Sequence, residues 1–225
     1  MIIFLVSYRA RGNQAFRKDQ LRTMINNINT YFTKNSVEYK IIICEQNDDK
    51  LFNRGKLLNV AFIESEKLFN FKKLYFHINI DYYFNLNIPF PNEIKNFTNG
   101  FLDLYKFPFP ILGSACLFDG ESYKVINGFP NDICGWGGDD WAIYNRIIHK
   151  KLQIIYPKNI IDLGFIIEDS YDKTIETDRS HNSKNIELAR RADLDTNGLN
   201  SCIYTIANNG EFHNEKNIYH FLLNI

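Results

Sequence analysis

Gly135-Trp136-Gly137-Gly138-Asp139-Asp140-Trp141 puts three glycines, two indoles and two adjacent carboxylates into one short stretch. Carboxylates so placed are the material of general acid–base catalysis, in which one takes a proton from a reacting hydroxyl while a neighbour orients the molecule carrying it. Ile143, Tyr144, Ile147 and Ile148 follow at helical spacing, so the pattern predicts a helix whose first turn holds Asp139 and Asp140. Free N–H groups and the helix dipole favour ionised carboxylates there, leaving at least one as a base near neutral pH. The glycines permit positive φ and the close approach of a ligand to the main chain. Taken alone, Gly-Gly-Asp-Asp also fits a plain helix start, with Asp139 as its cap and Trp136 as a packed core aromatic.

The elements that must position this stretch are legible on either side of it. Residues 2–7 are an unbroken apolar run ending in Ser7-Tyr8-Arg9-Ala10-Arg11-Gly12, the pattern of a buried strand that delivers a basic loop at its C-terminal end, where open α/β sheets bind ligands. Leu21, Met24, Ile25, Ile28 and Phe32 share one helical face, and residues 39–44 read as a second buried strand, giving β-α-β. Phe52-Asn53-Arg54-Gly55-Lys56 leads into another amphipathic helix. Arg54 suits a diphosphate as a bidentate fork and Lys56 as a point charge, although both also fit solvated charges at a helix start.

Residues 74–81 read as a strand with a polar end, where Asp81 is placed to hold Mn²⁺ or Mg²⁺, hard ions that prefer oxygen. Residues 84–97 read as a surface excursion, 101–105 and 112–118 as strands around a turn at 107–110, and 152–156 and 161–167 as two more strands. The charged stretch 172–184 reads as a flexible loop able to close over a ligand, followed by a short helix at 185–191 and the final strands. His77 and His149 receive no assignment.

Lys plus Arg equals Asp plus Glu at 26 each, which argues against a domain that grips nucleic acid by bulk charge. The 225 residues, 45% of them hydrophobic, suffice for one domain with a sizeable core. Cys44, Cys116, Cys134 and Cys202 form no Cys-x-x-Cys pair, so neither zinc nor a disulfide framework is indicated and reduced, mostly buried thiols are expected. No apolar run approaches the ~20 residues of a membrane span.

Asn127-Gly128-Phe129-Pro130-Asn131 followed by Gly135-Trp136-Gly137-Gly138-Asp139-Asp140 resembles the acceptor-site segment of the beta-1,4-galactosyltransferase family. Phe52-Asn53-Arg54-Gly55-Lys56-Leu57-Leu58-Asn59-Val60 is similar to another phrase of that family. Shorter ones at Tyr8-Arg9-Ala10-Arg11, Asn79-Ile80-Asp81, Glu168 to Lys173 and Asn197-Gly198-Leu199-Asn200-Ser201 keep the family's order. The resemblance implies a GT-A type α/β fold with a mixed central sheet flanked by helices. It implies a single domain over 1–225, with a nucleotide-binding half at 1–84 and an acceptor-binding half at 85–225. The implied activity is metal-dependent, inverting transfer of a hexose, galactose foremost, from a UDP-sugar to a hydroxyl of a glycan, glycoprotein or glycolipid, with Mn²⁺ or Mg²⁺ as cofactor.

Carried over position by position, the resemblance makes Asp140 the base and Asp139 the group that orients the acceptor, with Trp136 and Gly138 beside them. Tyr8, Arg9, Arg11, Phe52, Arg54, Asn79, Ile80, Trp136 and Gly137 fall on positions that bind the nucleotide sugar. Asp81 and Asp169 fall on metal ligands, with Glu168 or His181 as substitutes for Asp169. Ser7, Asn79, Ile166 and Asp169 depart from the family's proline, aspartate, methionine and histidine, and an aromatic is missing beside Gly113-Ser114. These departures keep two alternatives open: transfer of glucose or an N-acetylhexosamine, and a non-catalytic sugar- or nucleotide-binding derivative. Family members are usually anchored in the Golgi by a stem, whereas residues 1–6 lack a basic start and a cleavage site. The expectation is therefore a bare catalytic domain or a cytoplasmic protein, in the host cytoplasm if viral.

Overall fold

A strand apolar from Ile2 to Val6 has no face to give to water there, and β1 (Ile2–Tyr8) accordingly lies inside the sheet with Ile3, Phe4, Leu5 and Val6 fully buried. The computed structural model describes residues 1–9, 15–104, 111–112, 115–156, 165–167, 180–191 and 195–225. Their eight-stranded sheet runs β7 (Ile154–Ile155), β5 (Phe101–Asp103), β6 (Ala115–Asp119), β3 (Leu74–Ile78), β1, β2 (Tyr39–Gln46), β10 (Ile218–Asn224) and β9 (Thr205–Asn209). β1 is parallel to β2 and β3, and β2 to β10, while β6 is antiparallel to β3 and β5 and makes the sheet mixed.

Helices cover both faces. α1 (Ala15–Lys34) buries Leu21, Met24, Ile25, Ile28 and Phe32 against Phe4, Val6, Ile41 and Ile43, and the Phe4 and Phe32 rings meet edge-on with centroids 5.0 Å apart. On the other face α2 (Arg54–Leu68), the short α4 (Gly120–Val125) and α5 (Asp139–His149) pack Leu57, Leu58, Ala61, Tyr123, Ile143 and Ile147 over Ile3, Leu5 and Ile42. Cys44 and Cys116 are buried, Cys134 and Cys202 half-buried, and all four are free thiols. Among the described residues no helix is long and apolar enough to cross a membrane.

Three expectations are corrected. The strand expected over 74–81 stops at Ile78. The Tyr82 amide then donates to the Asn79 carbonyl at 3.2 Å, and the chain turns into β4 (Tyr82–Phe84), which pairs antiparallel with β8 (Phe165–Ile167). The excursion over 84–97 is not a surface loop: it contains the short α3 (Asn92–Lys95), and Phe84, Phe90, Ile94 and Phe97 bury themselves on the α1 side, because widely spaced aromatics can anchor a polar segment without a periodic pattern. The last helix before the final strands, which we number α6 (Asn182–Ala189), begins three residues early and shortens the expected 172–184 loop. The turn at 107–110, Gly113, Ser114 and Glu168 lie outside the described residues.

Candidate active site

The Trp136 loop is held from three sides. Arg146 of α5, buried, donates to the carbonyls of Asn127 (3.1 Å) and Gly128 (2.9 Å), and also to that of Asn197. The Gly135 amide donates to the Phe52 carbonyl at 2.7 Å. Asn185 of α6, buried, donates to the carbonyls of Cys134 (2.8 Å) and Trp136 (3.3 Å). Gly137 and Gly138 have φ of 89° and 87°, and a Cβ on them would stand 2.3 Å from Asn182 Oδ1 and 2.7 Å from the Asn185 carbonyl oxygen. These glycines thus let α6 pack closely against the loop. Gly138→Ala combines a left-handed backbone with a main-chain clash and is expected to destabilise the fold by about 1–3 kcal/mol, read as a lower urea midpoint.

Gly138 leads straight into α5, so Asp139 and Asp140 occupy its first turn as the spacing predicts. Arg54, at the opposite helix start, meets them: Nη1 donates to Asp139 Oδ2 at 2.6 Å and Asp140 Oδ1 at 2.9 Å, and Nε to Asn79 Oδ1 at 3.2 Å. Nη2 lies 2.8 Å from His77 Nε2, and the guanidinium sits over the Phe129 ring at 5.7 Å. Its place is set by Asn53, which caps α2 by accepting from the Lys56 amide at 2.9 Å. Side-chain exposures of 13%, 17% and 25% for Arg54, Asp139 and Asp140 make this ion-pair triad poorly screened by solvent.

Burial raises the Asp140 pKa to about 7. Arg54 opposes the shift and the charges of Asp139 and Asp103 add to it. Desolvation is the largest influence on Asp140 and leaves the group poised near neutrality, where a general base works best. Burial and the Arg54 charge hold His77 well below the ordinary histidine range, so its ring is neutral.

The remaining positions divide. Trp136 is 46% exposed and presents its ring to solvent. Arg9 donates to the carbonyls of Lys50 and Asp48 (3.0 Å), fastening the loop after β2. The Tyr8 and Ile80 side chains are packed in the α1-side core, so the main chain is what these two residues can offer a ligand. Phe52 also packs partly against the core. Arg54 is engaged by four side chains of its own protein and so differs from the open phosphate cation read from the sequence. Arg11 and Asp169 lie outside the described residues.

Mn²⁺ or Mg²⁺ needs oxygen ligands. Asp81 stands half-buried in the turn after β3, and the Tyr82–Ile167 pairing sets it at the end of the ribbon from which the chain leaves β8. Among the described residues no cluster of three or more His, Cys, Asp or Glu side chains is placed to hold a metal. One hard carboxylate fits an ion whose other ligands come from a diphosphate and solvent.

Sequence reasoning missed His77 and Arg146. Neither has a pattern around it, because each acts through partners at least 18 residues away.

A family model for the N-terminal region of glycosyl transferase group 7 matches residues 2–84, and one described as the N-terminal domain of galactosyltransferase matches 101–168. The chain belongs to the beta-1,4-galactosyltransferase family. This family member is 27% identical over 202 residues to mouse beta-1,4-galactosyltransferase 1, covering 84% of the chain and 48% of the relative. It is 30% identical over 158 residues to a Lymnaea stagnalis beta-N-acetyl-D-glucosaminide beta-1,4-N-acetylglucosaminyl-transferase, covering 67% and 31%. The chain thus spans about half the length, or less, of the curated relatives it matches. In fold it superposes on the catalytic domain of Drosophila beta1,4-galactosyltransferase 7 in complex with xylobiose, with a TM-score of 0.72 at 21% identity, covering 100% of the chain and 94% of that structure. A mutant of that enzyme, in complex with manganese, UDP-Gal and xylobiose, gives 0.71 at 20% identity, covering 100% and 95%. The fold is therefore of the GT-A type.

Proposed function

We propose that this chain is a metal-dependent inverting galactosyltransferase acting from UDP-galactose on a saccharide hydroxyl. The observation that carries the reading is the reach of Arg54, which joins Asp139 and Asp140 at the start of α5 to Asn79 at the end of β3. Asp81 is two residues beyond Asn79, so the candidate metal carboxylate follows closely on a side chain that shares Arg54 with the candidate base. Residues 1–84 then supply the nucleotide side and residues 85–225 the acceptor side. The family and the Drosophila complex with manganese and UDP-Gal support the choice of donor and ion.

In this scheme Trp136 lays its exposed indole face against a sugar ring. Asp139 orients the acceptor hydroxyl, and Asp140 takes its proton as the oxygen forms a bond to C1 of the sugar. The bond from C1 to the diphosphate oxygen breaks, and UDP leaves with the electron pair. Asp81, with Asp169 proposed as a second ligand, would hold a divalent ion, whose positive charge would screen the leaving diphosphate.

Titration calorimetry with UDP tests the reading apart from turnover. UDP should bind the wild type more tightly with Mn²⁺ than without it, and Asp81→Ala should lose that increment. Metal-independent UDP binding with no transfer from any UDP-sugar would favour a non-catalytic derivative. The similarity to an N-acetylglucosaminyl-transferase makes UDP-GlcNAc the comparison to run beside UDP-galactose, with UDP-glucose as a third donor.

A further inference from the structure

We infer that His77 is a positioning residue: its Nε2 accepts from Arg54 and holds the guanidinium where Asp139, Asp140 and Asn79 share it. Arginine has no acceptor, so the 2.8 Å contact between Arg54 Nη2 and His77 Nε2 makes Nε2 the acceptor and puts the imidazole proton on Nδ1. His77 is 1% exposed, and Nδ1 has no hydrogen-bond partner. An unpaired buried donor costs roughly 1–3 kcal/mol, a cost an apolar side chain at the same place in β3 would not carry. The ring lies edge-on to Phe129 with centroids 5.9 Å apart, a surrounding that suits leucine or phenylalanine as well. What imidazole adds is the Nε2 lone pair, and Arg54 takes it.

The consequence falls on the carboxylate pair. The charged or titratable described groups that bear on Asp140 are Arg54 from α2, Asp103 from β5, Cys116 from β6 and its neighbour Asp139, while His77 on β3 stays neutral. Arg54 is the one cation in that set, so its placement governs how easily Asp140 gives up its proton. Asn79 accepts from the same guanidinium, which fixes the end of β3 relative to the first turn of α5. The role in catalysis rests on the transferase reading, whereas the role in carboxylate titration does not.

The experiment compares wild type, His77→Leu and His77→Gln by ¹³C-carboxyl NMR titration, with the Asp140 signal identified by its loss in Asp140→Asn. Leucine removes the acceptor and is expected to move the Asp140 titration upward by about one pH unit as Arg54 loosens. Glutamine, which keeps an acceptor oxygen, is expected to restore it toward the wild-type value. The acid limb of kcat/KM should follow in both variants. A folded His77→Leu protein with wild-type titration overturns the proposal. Should that variant not fold, His77→Asn, whose shorter amide stops short of Arg54, takes its place under the same criterion. If the wild type transfers no sugar, the NMR result still decides the role of His77 and the transferase reading fails separately.

Discussion

Asp140→Asn is expected to lower the transfer rate by ~10²–10⁴, the usual cost of a positioned base, with affinity for UDP close to that of the wild type. Asparagine keeps the shape of the side chain, and Asp139 remains 2.6 Å from Arg54 to hold the guanidinium in place, so the loss should fall on kcat and not on folding. The same assignment gives the wild type a pH profile. Asp140 must be deprotonated to accept the hydroxyl proton, so kcat/KM should fall as pH drops below about 7, where burial has placed the group, and level off above it. Stopped assays across that range, with denaturation midpoints as the control for folding, check both statements. An Asp140→Asn protein that keeps most of its activity would assign the base elsewhere.

Arg54→Met should have the second largest effect, on stability as well as on rate. It removes the cation from two part-buried carboxylates and the donor from Asn79, and breaking a buried ion pair on one side costs about 3–5 kcal/mol. The cost should depend on pH in a stated direction. Without the guanidinium the Asp140 pKa in the folded state rises further above its unfolded value, so the folded protein binds more protons than the unfolded chain over that interval. Stability of the variant should therefore be best preserved in acid, below the ordinary carboxylate range, and decline as pH rises through neutrality. Urea midpoints measured on both sides of pH 7 test this, and equal losses at both ends would show that the triad is not the source. Arg54→Lys should be a poor rescue, because a single ammonium cannot replace the planar fork that reaches four side chains at once.

The sequence by itself determined the frame around this site. Continuous apolar runs have only one stable place, inside a sheet covered on both faces, which is why β1 and β2 were readable to within two residues and α1 and α2 were readable as helices from their apolar faces. Gly138 followed by Asp139, Asp140 and an apolar helical repeat likewise fixed the start of α5, since local chain stiffness and periodicity are written in neighbouring residues. What only the tertiary structure decided was who faces whom. Arg54 reads as a cation for phosphate until β3 and α5 bring Asn79, His77 and both aspartates around it. That one of the two aspartates can act as a base is legible, but that burial lifts the Asp140 pKa to about 7 is not. Hydrogen-bond partners and desolvation depend on groups far away along the chain, and no local pattern of residue types carries that information.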